Sequence, residues 1–174
     1  MSFSDVGQAK AAPGSPSLAA LIAKLSSKDG VTRMHARETL VDLGRKATAE
    51  LVKSLTDPRV QVRWEATKAL AEIADSGAAS ALILALRDDD FGVRWLAADG
   101  LVRLGRDGLI PVLETLSRRL VSERFRAGAH HVIHAHMEGS WGEILRPVLE
   151  ALGGFTARES APVAARQALA ALER

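Results

Sequence analysis

Apolar residues recur along most of the chain at helical spacing, and between Asp57 and Leu116 the pattern is written twice. The first copy runs Val62, Arg63, Trp64, Ala66, Leu70, Ile73, and the second Val93, Arg94, Trp95, Ala97, Leu101, Leu104, an offset of 31 residues. Each copy opens on acidic residues, Asp57 in one and Asp88 with Asp89 in the other. Each continues into a second apolar run, Leu82, Ile83, Leu86 or Val112, Leu113, Leu116. Spacings of three and four place such residues on one face of a helix. The unit is therefore a pair of short amphipathic helices, and self-similarity at this period marks a helical solenoid.

The same alignment extends in both directions. Val31, Arg33, Ala36, Leu40 and Leu43 supply an earlier first helix, and Phe125, Arg126, Ala129 and Ile133 a later, more degenerate one. The pattern predicts an all-α chain of about ten helices. A half repeat over 17–28 precedes repeats over 29–56, 57–87, 88–121 and 122–153, and a closing helix over 160–173 follows as a last first helix, with Ala165, Leu169 and Leu172 inward. Gly44 and Gly105 stand where a left-handed residue ends a first helix. Asp57 and Asp88 stand where a helix N-terminus needs an acceptor. Residues 1–16, rich in Gly, Pro, Ser and Ala without periodicity, read as a flexible tail.

Composition narrows the chemistry. The 174 residues include no Cys, so disulfides, thiolate metal sites and thiol nucleophiles are excluded. A formal charge of +2 gives no nucleic-acid footprint, and a basic concave groove with interleaved aromatics, which a nucleic-acid-binding solenoid needs, is missing. No apolar run approaches a membrane span, and Met1–Ser17 has neither the basic nor the apolar part of a secretion signal, so the expected location is the cytoplasm.

The signature of Asp, then Val-Arg, then Ala three residues after the Arg, then Leu at seven and Ile or Leu at ten, resembles HEAT repeats of the phycobilisome-lyase type. The resemblance covers about Leu18–Leu172 and is strongest over Asp29–Leu116. It implies a right-handed α-solenoid with first helices on the convex side and second helices on the concave side. It also implies that the recurring Arg33, Arg63, Arg94 and Arg126 tie repeats together through a neighbour's Asp or carbonyls. Members of this family assist bilin attachment, bind proteins, or, in deoxyhypusine hydroxylase, hold di-iron through His-Glu pairs. The corresponding pairs here are Met34-His35, Trp64-Glu65, Trp95-Leu96 and Ala127-Gly128, so the hydroxylase chemistry is not expected.

Candidate chemistry is confined to a few residues. His130, His131, His134 and His136 lie on one predicted helix. His130 and His134, four apart, share a face and are the candidates for a metal, with His131 or Glu138 as a third ligand. The alternative is structural: His136 falls at the half-buried helix-end position of Leu43, Ile73 and Leu104, and His131 at the solvated position of Glu38, Lys68 and Asp99. Trp64 and Trp95 share one repeat position and either stack on neighbouring helices or form an exposed aromatic ladder. Trp141, in an insertion, has no repeat counterpart and is a candidate for contact with a partner.

Removing the core positions from the second helices leaves the concave surface: Glu50 and Lys53, then Ala81 and Leu84, then Glu114, then Glu150. An apolar centre with a charged rim suits an extended or helical peptide, although small residues and a lone Leu also serve close helix packing. The sequence reading is thus a non-catalytic scaffold that presents this groove to a protein, with no cofactor. A bilin or tetrapyrrole lyase-like accessory is the alternative, and a metal-binding protein using the histidines comes after it.

Overall fold

The structure, a computed structural model, describes residues 16–118 and 121–173. The expected N-terminal tail lies outside the described residues, apart from Pro16. Among the described residues there are ten α-helices: α1 (Leu18–Lys24), α2 (Gly30–Asp42), α3 (Arg45–Ser54), α4 (Val60–Ile73), α5 (Ala79–Ala85), α6 (Phe91–Arg103), α7 (Arg106–Leu116), α8 (Glu123–Ala135), α9 (Gly142–Gly153) and α10 (Ala157–Leu172). A short 3-10 turn, Ser76–Ala78, leads into α5.

The helices stack in two rows. First helices α2, α4, α6 and α8 pack side by side, while α1, α3, α5 and α7 form the second row behind them. A continuous core runs between the rows, from Leu21 and Leu25 through Leu40, Leu51, Leu70, Leu82 and Leu101 to Leu113, Phe125 and Ile133. This is the all-α solenoid that the repeat period predicts. Each residue of the core is supplied by a helix too short to be stable alone, so burial between rows stabilises what local propensity does not.

The turns follow their residues. Gly44 and Gly105 both take φ 57°, as their place in the repeat predicts. In the second repeat the left-handed residue is instead Ala74, at φ 50°. The caps differ from expectation. Asp29, Asp90 and Ser122 cap α2, α6 and α8 through their side chains, whereas Arg59, at the N-cap of α4, makes no side-chain cap bond. Asp57 and Asp88 lie two residues before those starts and accept the backbone N–H of Arg59 and Asp90, each at 2.9 Å. They close side-chain turns in the inter-repeat loops, a short-range bond open to Asp at that spacing.

The C-terminal end departs from the repeat. α10 packs on α9 and on α7, so that α7, α8, α9 and α10 form a closed ring of four helices. Arg106 donates to the Leu172 carbonyl and Arg166 to the Ser117 carbonyl, which sets α10 antiparallel to α7. α10 therefore does not extend the first-helix row as the periodicity suggests. Its buried face, Ala161, Pro162, Ala164, Ala165 and Ala168, is small enough to lie close against both neighbours.

Candidate functional site

The repeated arginines build the frame on which the exposed surface is set. Through Nη1, each donates to carbonyls of the loop before its own helix: Arg33 to Ser27 and Lys28, Arg63 to Asp57 and Pro58, Arg94 to Asp88 and Asp89, Arg126 to Val121. Two of them also reach the next repeat. Arg33 Nε donates to Glu65, which is 3% exposed and also receives Arg37 and Gln61. Arg63 holds both carboxylate oxygens of Asp88. Burial pushes the Asp88 carboxyl up, but the bonds from Arg63 and from the Asp90 N–H outweigh it and leave Asp88 below the usual carboxylate range. Arg33 and Arg63 thus join neighbouring repeats in the way the resemblance implies, while Arg94 and Arg126 bond only the loop before their own helix.

The two equivalent tryptophans differ. Trp64 is half-buried over the first turn of α6, where a Cβ on Gly92 would approach its ring to 3.1 Å, and Lys68 lies 5.1 Å above it. In the next repeat the place of Gly92 is taken by Arg124. Trp95 cannot cover that turn, stays 51% exposed, and leans on His131 with ring centroids 4.5 Å apart. His131 is therefore half-buried against an aromatic ring, not solvated as its repeat position suggests.

Phe91, 68% exposed, lies one turn from Trp95 on α6. Between α6 and α8 these two rings, Arg94, Arg124, His131 and the small residues Ala98, Ala127 and Gly128 line a cleft of about 360 Å³. Gly128 permits the close approach of α8, because a Cβ there would meet the Leu86 side chain at 2.7 Å. Phe91 is not among the residues that the repeat pattern singles out. Its signal was present in the four-residue spacing to Trp95, which places both rings on one helical face.

On the second row, Leu84 is 66% exposed and Ala81 half-buried beside it on α5. Glu50 and Lys53 pair at 2.7 Å on α3, and Glu114 is exposed on α7. These five residues lie on α3, α5 and α7, helices of the second row. Glu150 does not join it, since α9 is separated from that row by α10. Trp141 is half-buried at the start of α9, packed on the core and 5.8 Å from the His136 ring.

His130 and His134 stack with ring centroids 6.2 Å apart, on one face as predicted, and both are exposed. The corresponding residues of α4, Thr67 and Ala71, are buried against α6, whereas among the described residues no first helix follows α8 in its row. His131 turns to Trp95, and His136 Nδ1 lies 2.8 Å from the Val132 carbonyl. Among the described residues no three His, Asp or Glu side chains converge as metal ligands. Partial burial, and then the charges of His134 and His131, push His130 below the usual imidazole range.

No helix among the described residues is long and apolar enough to cross a membrane. Residues 48–133 match the family model described as HEAT repeats. No curated protein matches the chain.

Proposed function

We propose that this chain, which carries HEAT repeats over residues 48–133, is a non-catalytic binding module that holds a protein or peptide against its stacked helices. The observation that carries this reading is the aromatic pair Phe91 and Trp95. Both rings are more than half exposed beside a cleft whose other walls are ordered by the repeat. Exposed aromatic rings at a rigid cleft are the usual anchors of protein contacts. Val31, Met34 and Val60 extend apolar exposure along the same row.

A second contact face is favoured by Leu84, the only large apolar side chain exposed on the second row among the described residues, with Glu50, Lys53 and Glu114 around it. An apolar centre inside a charged rim is the anatomy of a protein interface.

Affinity capture from an extract, comparing the unchanged chain with Trp95→Ser and Leu84→Asp, tests the reading. A protein retained by the unchanged chain and lost with either folded variant supports it. Retention indifferent to both substitutions, or no specific retention at all, contradicts it.

A further inference from the structure

The cleft between α6 and α8 repeats, with one component missing, a contact that the protein makes twice within itself. Arg33 donates through Nε to the carboxylate of Glu65, and Arg63 donates through Nε and Nη2 to that of Asp88, at 2.7 and 2.9 Å. Glu65 stands two residues after the repeat Arg of the following helix, and Asp88 six residues before it. For Arg94 those two positions in the following repeat are Gly128 and Leu120, neither of them acidic. Arg94 keeps its Nη1 bonds to the Asp88 and Asp89 carbonyls, at 2.8 and 2.9 Å, which hold its guanidinium in place. Among the described residues no carboxylate pairs with its remaining donors, and the group lies 5.6 Å above the Phe91 ring, on the wall of the cleft.

We infer that this cleft takes an acidic side chain of a partner peptide, an Asp or Glu followed by an aromatic residue. The carboxylate occupies on Arg94 the place that Glu65 and Asp88 occupy on the arginines of the two earlier repeats. The adjacent aromatic ring enters between Phe91 and Trp95 over Ala98, Ala127 and Gly128. Charge favours this occupant. Arg94 and Arg124 both face the cleft, and Arg124 is held by Asp89, an exposed residue that a ligand carboxylate can displace. A fork preset by two carbonyl bonds accepts a carboxylate with little loss of side-chain freedom. Glu123 lines the same cleft and opposes a second negative charge, so its removal strengthens binding.

The inference rests on the reading of the chain as a binding module and names what one of its faces recognises. Its test is separate: the tryptophan indole N–H signals of the full chain are followed by NMR while acetyl-Asp-Phe amide or acetyl-Asn-Phe amide is added. The Trp95 signal is expected to move with the Asp peptide at about tenfold lower concentration than with the Asn peptide. Arg94→Gln removes the difference. Because Arg94 also holds the loop, Ala127→Leu supplies an independent check: it fills the cleft from an exposed position and abolishes both responses. Glu123→Gln tightens the Asp peptide. Equal response to the two peptides, no response to either, or an unchanged preference in Ala127→Leu overturns the inference. Capture from an extract that survives such a result leaves the binding-module reading standing.

Discussion

Arg63 Nε and Nη2 lie 2.7 and 2.9 Å from the two carboxylate oxygens of Asp88, so one guanidinium fork joins the second repeat to the third. Both side chains are largely buried, at 16% and 10% exposed. Removing one partner leaves the other charge without its mate in a poorly solvated place. Arg63→Ala should cost about 3 kcal/mol, and Asp88→Asn somewhat less. The double variant should cost less than the sum by about 1–2 kcal/mol. Urea unfolding midpoints of the four chains measure this; strict additivity would mean that the pair does not couple the repeats.

Acid should weaken the stack. Asp57, bonded by Arg59, is held down to about 2, and Asp88 also lies below its ordinary value. Their contribution is complete above the unfolded carboxylate pKa, about 3.9, and is lost as pH falls through the folded values. His130 acts in the same direction at higher pH. Its folded pKa is lowered, so the unfolded chain takes up that proton first as pH falls below about 6.5. The melting temperature should therefore decline in two stages on acidification, and His130→Gln should flatten the upper one alone.

Gly105→Ala should cost about 1–2 kcal/mol, since φ 57° strains any residue with a Cβ although the surrounding space is open. Thermal unfolding reads the cost directly. A variant as stable as the parent would show that the α6–α7 turn relaxes freely.

Ala165→Asp should act locally. The position is fully buried within the closing ring of helices, and an unpaired charge there costs about 3 kcal/mol or more. In a stacked architecture that loss falls mainly on the nearest units. Hydrogen exchange should accelerate across α9 and α10 while the α2–α4 amides keep their protection. Uniform acceleration would instead mean that the ring and the stack unfold as one.

Much of this architecture is legible in the sequence because the repeat enforces it. Each Arg recurs with its loop carbonyls, and Leu40, Leu70 and Leu101 recur in the core, since every unit solves the same packing problem. What escapes the pattern lies where the repeat loses a neighbour. His130 and His134 occupy positions that are buried in α4, yet they are exposed because α8 is the last helix of its row among the described residues. Trp95 has the same repeat position as Trp64 and a different environment, because Arg124 replaces Gly92 in the turn that it would cover. The direction taken by α10 depends on small residues that fit either row, so no periodicity could assign it. Phe91 was legible in principle, being four residues before Trp95, but a pattern read for the core passes over a position that faces outward.

The most direct test of the central claim, that the exposed rows bind a protein, is photo-crosslinking with benzoylphenylalanine placed singly at Trp95, at Leu84 and, as a control, at the exposed position Arg103. A discrete adduct is expected from position 95, with or without one from position 84, and none from position 103. Equal crosslinking from all three positions, or from none, would contradict the claim.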